Sequence, residues 1–232
     1  MMKKIVVLTG AGISAESGIK TFRDADGLWE GHDVMSVASP EGWDRDMALV
    51  LDFYNQRRKQ LKDVMPNAGH KALVELEDKY DVVVITQNVD NLHERAGSRR
   101  IIHLHGELNK VRSIGVPSLV YEWSDDLHIG DLCEKGYQLR PHIVWFGEMV
   151  PMLESAIEEC ENGDIFIIIG TSMQVYPAAS LISYAPRGSE IYYIDPKPHI
   201  SYELSRLPGL QIIKEPGSIG VPSVVNELLS KE

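Results

Sequence analysis

The segment His103-Leu104-His105-Gly106-Glu107 places two imidazoles two residues apart, so that on a strand both leave from one face. An imidazole titrating near neutrality suits removal of a proton from a hydroxyl, although a histidine on a strand is more often structural. Upstream, Gln87-Asn88-Val89-Asp90 follows an apolar run directly. Amide and carboxylate groups at a strand exit either bind a ligand or cap the next helix, and different atoms serve the two tasks. Gly10-Ala11-Gly12-Ile13-Ser14-Ala15 has the loose form G-x-G-x-x-G/A, whose glycines allow a tight turn and close approach to a pyrophosphate. Tyr54 and Arg57, three apart in a helical pattern, share a face, a spacing also common on solvated surfaces, and Arg58 is an adjacent competitor.

Alternating elements must position these groups. Short β-rich runs lie at residues 5–8, 82–85, 101–104, 143–146, 165–169 and 191–194, several of them apolar throughout, as expected of parallel strands covered on both faces. Helical patterns lie at 46–64, 67–79, 152–161, 178–184 and 221–229, with Asn67 reading as an N-cap after Pro66. Strand and helix in repetition predict an α/β fold, a Rossmann-like doubly wound parallel sheet. Residues 21–42 are too irregular for one helix, and residues 112–140 carry scattered glycines and little periodicity. The expected organisation is one domain. Its core takes residues 1–20, 43–111 and 141–232, with a loop region at 21–42 and a small inserted subdomain at 112–140. A dehydrogenase fingerprint expects a second strand ending in an acidic residue about 20 positions on. TFRDADGLWEGHD stands there and reads as loop, which disfavours simple hydride transfer.

The 232 residues are 44% apolar and 25% charged, a globular composition, with a net charge of −11. Such a chain repels phosphate backbones, so neither nucleic acid nor an anionic membrane is an expected partner. No apolar run approaches the roughly 20 residues of a membrane span. MMKKIVVLTGAG reads as a buried first strand rather than a secretory signal, and with only Cys133 and Cys160 a reducing cytoplasm is expected.

GAGISAESGIKTFRDADGLWE, TQNVDNLHERAG, HLHGEL, RPHIVWFGE and GTSMQVYPA occur in this order. Together they resemble the motif set of the sirtuins, the NAD-dependent protein lysine deacylases, from residue 5 to about residue 230. The resemblance implies that NAD is consumed as a co-substrate. The acyl-lysine carbonyl oxygen attacks the ribose carbon as nicotinamide leaves, and free lysine and 2′-O-acyl-ADP-ribose are released. It makes His105, the histidine before glycine, the base, with His103 supporting at most. Gly10, Ala11, Gly12, Ile13 and Ser14 are implied along the phosphates and ribose, and Phe22, Arg23 and Trp29 in the cofactor-binding loop. Asp90 is implied at the nicotinamide carboxamide, Gln87 at a ribose, and Asn88 near the reacting centre. Gly170, Thr171 and Ser172 form the ribose-binding turn, Asp195 accepts adenosine ribose hydroxyls, and Gly217 lies on the adenine side. Val144, Phe146 and Gly147, within residues 144–148, and residues 174–176 are implied to flank an acyl-lysine peptide, which adds as an extended strand between the two segments.

In the branch that removes succinyl and malonyl groups, a Tyr-x-x-Arg pair lines the acyl pocket. Tyr54 and Arg57 match it, and Ala25 matches the small residue that admits a longer chain. A guanidinium holds a carboxylate through paired, charge-assisted hydrogen bonds, so desuccinylation and demalonylation are expected, with deacetylation possible. Most sirtuins hold a zinc on four cysteines, whereas here Ser113 stands near the first and only Cys133 lies in the insert. No zinc is expected, and apolar contacts of Leu119, Tyr121, Trp123 and Leu132 are expected to hold the insert. A mono-ADP-ribosyltransferase on the same frame, or a non-catalytic NAD-binding module, are the competing readings.

Overall fold

The computed structural model describes residues 2–20 and 28–231. Eleven strands appear among them: β1 (Lys4–Thr9), β2 (Leu28–Trp29), β3 (His32–Asp33), β4 (Asp81–Thr86), β5 (Ile101–His103), β6 (Gly106–Ser113), β7 (Val120–Glu122), β8 (Leu139–Ile143), β9 (Ile165–Ile169), β10 (Glu190–Ile194) and β11 (Leu210–Ile213). The helices are α1 (Val34–Val37), α2 (Pro40–Arg45), α3 (Met47–Asp63), α4 (Ala68–Glu75), α5 (Leu92–Ala96), α6 (Leu153–Glu161), α7 (Tyr202–Ser205) and α8 (Gly217–Ser230). Polar side chains start several of them: Ser39 accepts from Gly42 N–H, Asp46 from Leu49 N–H and Asn67 from Gly69 N–H.

Six parallel strands form one sheet in the order β11-β10-β9-β1-β4-β5. Alternate residues of the same strands feed two cores. Ile5, Val7, Val84 and Ile167 meet Leu73 of α4 and Val225 of α8 on one face, while Val6, Leu8, Ile85 and Ile168 meet Ala156 and Cys160 of α6 on the other. That double coverage is why the strands read as unbroken apolar runs. The chain runs from β1 to β4 and β5 on one side and reaches β9 on the other, so the strand order reverses beside β1. The crevice at the carboxyl ends of β1, β4 and β9 is where open α/β sheets bind ligands.

A second sheet, β7-β6-β8, is antiparallel. It packs against α3, and a third core joins Val50, Phe53, Tyr54 and Leu61 to Leu108, Val111, Leu139, Ile143 and Trp145. Two expectations change here. The apolar run at 143–146 is not a strand of the parallel sheet, because β8 ends at Ile143 and pairs antiparallel with β6. Residues 106–111 belong to this small sheet rather than to the Rossmann-like core, since their partners are β7 and β8. Leu119, Tyr121 and Trp123 pack on the third core, but the Leu132 side chain is 54% exposed and is not part of it. The buried residue there is its neighbour Cys133, whose thiol donates to Ser113 Oγ at 3.3 Å. Composition could not tell the two apart, since a one-residue step on an extended segment reverses the face.

Candidate active site

The glycine turn after β1 packs against the turn after β9. Gly10 N–H donates to Ile169 O at 3.0 Å and Gly12 N–H to Gly170 O at 2.8 Å. A Cβ on Gly12 would stand 2.5 Å from Gly170 Cα, and Gly170 itself has φ +58°. Both glycines are therefore required by contact between two backbones, a reason additional to close approach of a phosphate. Gly217, buried at the start of α8, seats its Cα side against Ile13. Ser14 is fully buried and donates to Asp90 Oδ2 at 2.9 Å.

The exit of β4 is tied to both neighbours. Asn88 Nδ2 reaches Gly10 O and Ser14 Oγ, each at 3.2 Å, and Gln87 Nε2 donates to Thr171 Oγ1 at 3.0 Å. Asp90, 6% exposed, accepts from Ser14 with one oxygen and from Leu92 N–H at 3.1 Å with the other. It thus caps α5 and faces the glycine turn at once. Burial raises its carboxyl above the ordinary aspartate value, against the two hydrogen bonds that lower it.

His105 is half-buried, and its Nδ1 lies 3.1 Å from Gln87 O. A carbonyl only accepts, so Nδ1 carries the proton and Nε2 keeps its lone pair. Burial lowers the imidazole below its usual value, against the Gln87 bond that raises it, which favours the neutral form. His103 differs. Its Nδ1 faces Asn88 O at 3.3 Å and its Nε2 faces Glu94 Oε1 at 2.5 Å, and although burial opposes the charge, Glu94 prevails and the value is raised. Glu94, His103 and Glu107 bring donor atoms within 4.8 Å of one another. Both nitrogens of His103 are turned to acceptors, and Glu107 is paired with Lys110 at 2.8 Å, so ion pairs account for this cluster.

On the α3 side, Tyr54 is fully buried and its hydroxyl accepts from Trp145 Nε1 at 3.0 Å. Burial pushes that phenol well above its ordinary value. Trp29 packs edge-on against Phe53 and Tyr54, with ring centroids at 4.9 and 6.1 Å. The competition between Arg57 and Arg58 resolves clearly. Arg58 points into the protein, where Nε donates to Leu108 O and Nη1 to Asn55 Oδ1 and Asp125 O, and buried Nη2 has no acceptor among the described residues. Arg57 is half-buried over the Phe53 ring, and its Nε and Nη1 have no acceptor among the described residues. Burial lowers the guanidinium below its usual value, against the Glu30 and Asp52 carboxylates that raise it.

Val144 N–H donates to His105 O and Phe146 N–H to Ala38 O, each at 2.9 Å, so the segment after β8 runs beside His105. Phe146 is 42% exposed, and Gly147, also exposed, has φ +89°. Thr171 is buried behind the half-buried Ser172, and Asp195, at the end of β10, accepts from Lys197 N–H at 2.8 Å. Phe22, Arg23 and Ala25 lie outside the described residues. The sequence placed Trp145 and Glu148 only within the VWFGE segment expected to flank the peptide, with no bonding role of their own, and did not single out Glu94. Glu148 takes Arg112, Arg140 and Trp145 N–H at 2.6–3.1 Å, bracing the segment that holds Trp145. The signal available for it was a lone Glu ending the RPHIVWFGE block, with nothing to show which cations fold back on it.

A doubly wound sheet whose strand exits gather a glycine turn, a buried carboxylate and an imidazole with a free lone pair defines a dinucleotide-type α/β site. The Sir2 family model matches residues 10–177, and the chain belongs to that family. It is 66% identical over 196 residues to the NAD-dependent protein deacylase of Helicobacter pylori, covering 84% of this chain and 86% of that one. With the NAD-dependent protein deacylase of Bacteroides thetaiotaomicron it shares 55% over 234 residues, covering 98% and 99%. A Sir2 homologue solved in complex with NAD superposes with a TM-score of 0.86 at 39% identity, covering 98% of this chain and 90% of that one.

Proposed function

We infer that the chain is an NAD-dependent protein lysine deacylase that acts on acyl-lysine proteins or peptides. The carrying observation is the hydrogen bond from His105 Nδ1 to the Gln87 carbonyl, which leaves Nε2 as a proton acceptor at the carboxyl edge of the sheet. NAD supplies the electrophilic ribose carbon and is consumed as nicotinamide and O-acyl-ADP-ribose. The residues fit it: polar groups of Gln87, Asn88, Asp90, Ser172 and Asp195 stand in sequence across the exits of β4, β9 and β10. Asp90, buried and fixed by Ser14, orients a carboxamide, Gln87 and Ser172 take ribose hydroxyls, and the turn at 10–14 meets the phosphates, with Asp195 and Gly217 on the adenosine side. His105 Nε2 takes the ribose hydroxyl proton, and its burial keeps it neutral for that task. Val144, Phe146 and Gly147 offer an edge on which an extended peptide adds by main-chain hydrogen bonds.

The acyl group preferred is acidic, succinyl or malonyl, with acetyl tolerated because it is shorter. Arg57 supports this reading, since its two buried N–H groups need an acceptor and a carboxylate presents two oxygens to a guanidinium. Tyr54 uses its oxygen to accept from Trp145, which leaves its O–H free to donate to the same carboxylate. We further read the small sheet as an insert in one catalytic domain, held without zinc by its contacts with α3 and the Cys133–Ser113 bond, in a cytoplasmic protein. Among the described residues no helix is long and apolar enough to cross a membrane.

Succinyl- and acetyl-lysine peptides incubated with NAD, with nicotinamide release and peptide mass followed together, test the proposal. Free lysine peptide and acyl-ADP-ribose are expected. Labelled ADP-ribose on protein without any acyl-ADP-ribose would overturn it.

A further inference from the structure

Four successive carbonyls at the exit of β4 are each taken by a donor from residues 103–108. Leu104 N–H donates to Thr86 O at 2.9 Å and Leu108 N–H to Val89 O at 2.8 Å. Between them, His105 Nδ1 takes Gln87 O and His103 Nδ1 takes Asn88 O. The two outer grips are backbone hydrogen bonds and stay whatever the pH. The two inner grips are imidazoles, and each must keep a proton on Nδ1 to hold on.

The other nitrogens separate the two rings. His105 Nε2 has no partner among the described residues, whereas His103 Nε2 meets the Glu94 carboxylate. A ring with acceptors at both nitrogens is a two-proton donor. His103 cannot touch a reacting group while both nitrogens are engaged, but it holds the backbone of Asn88, whose side chain holds Gly10 O and Ser14. We propose that His103, kept doubly protonated by Glu94, is a positioning residue. It pins the Asn88 carbonyl and thereby keeps the adjoining Gln87 carbonyl where it locks His105 in its Nδ1–H tautomer.

The surroundings agree with the charge. Glu94 of α5 is the carboxylate bonded to the ring, Glu107 of β6 is neutralised by Lys110, and Asp90 is engaged by Ser14 and Leu92. His93, the remaining titratable group nearby, is buried, bonded to Thr9 Oγ1 at 3.1 Å and held neutral by burial. When pH rises far enough to remove one proton from His103, the carboxylate retains Nε2–H and the Asn88 carbonyl loses its donor. Activity then falls on the alkaline side for a reason unrelated to the base itself.

The inference rests on His105 being the base, so the test has one arm that needs no turnover. Imidazole nitrogen shifts of uniformly ¹⁵N-labelled protein report the His105 tautomer directly. The wild type is expected in the Nδ1–H form, with a mixed population in His103→Gln. In the activity arm, His103→Gln lowers kcat by about ten- to a hundredfold, the scale of a misplaced reacting group, with the peptide KM little changed. Glu94→Gln, an exposed and conservative change, keeps an acceptor without the charge and moves the alkaline limb to lower pH. Wild-type nitrogen shifts at His105 in His103→Gln, or an unmoved limb in Glu94→Gln, would overturn the proposal. Protein inactive on every acyl peptide, whose His105 tautomer still follows residue 103, would support the clamp and remove the deacylase reading instead.

Discussion

The two sides of the site treat their polar groups in opposite ways. At the sheet edge, Ser14, Gln87, Asn88, Asp90 and His103 each hold a hydrogen-bond partner, while His105 Nε2 keeps its lone pair unshared among the described residues. On α3, Arg57 keeps two buried donors without an acceptor among the described residues, beside a Tyr54–Trp145 bond that is already made. A network that satisfies itself is rigid before any ligand arrives, which suits a step common to every substrate. A group left wanting an acceptor is instead a device for choosing among substrates, because the wrong one leaves it unpaired.

The largest effect that could break this contrast is at the base. His105→Ala is expected to cut turnover by about 10²- to 10⁴-fold while NAD affinity, measured by calorimetry, changes little. Activity near the wild-type level would put the base elsewhere. In the wild type, the lowered His105 value means that kcat/KM holds down to the ordinary histidine range and falls only below it, on protonation of Nε2. A kcat/KM–pH profile whose acid limb lies above pH 6.5 would contradict this sign.

The sheet-edge side also stands on neutral buried histidines. His70, fully buried with its ring centre 4.9 Å from that of His93, is lowered from 6.5 to about 4 by burial. Below pH 6.5 the unfolded chain binds a proton that the folded one refuses, so stability is expected to drop by up to about 3 kcal/mol by pH 4 and then level off. Urea titrations across that range check it. His70→Leu should flatten the slope, and an unchanged slope would show that His70 is not its source.

On the choosing side, Arg57→Met is expected to lower kcat/KM for succinyl-lysine peptides by about ten- to a hundredfold, the worth of a charge-assisted pair, with acetyl-lysine within about threefold. Equal losses on both would make Arg57 structural. The smallest effect is expected from Tyr54→Phe. It removes one neutral donor to the acyl group and the acceptor of Trp145, a loss of about three- to tenfold on succinyl peptides.

Much of this was legible before any coordinates. The apolar runs at 82–85 and 165–169 are central parallel strands, and Asn67 caps α4, because local pattern and tertiary burial ask for the same residues there. The run at 143–146 misled because a short apolar stretch looks the same in either sheet, and register depends on a distant partner. β11 escaped notice as a strand because its side chains are mostly exposed at the sheet edge. At the site, the residue types were readable and their bonding was not. Asp90 could serve the next helix or face the glycine turn, and its two oxygens divide between Leu92 N–H and Ser14.

Sequence alone determined the chemical inventory: which side chains exist, the strand and helix alternation that brings them to one sheet edge, and the ordered motifs that place the chain in its family. Those follow from local periodicity and from residue type, which need no partner to be read. The fold settles which of two adjacent arginines turns inward onto backbone carbonyls, and which of two histidines two residues apart keeps a lone pair unshared among the described residues. Both outcomes depend on acceptors contributed by segments remote in the chain, Leu108 and Asp125 for Arg58 and the exit of β4 for the histidines. A hydrogen bond belongs to a pair, and one-dimensional order does not state the pairing.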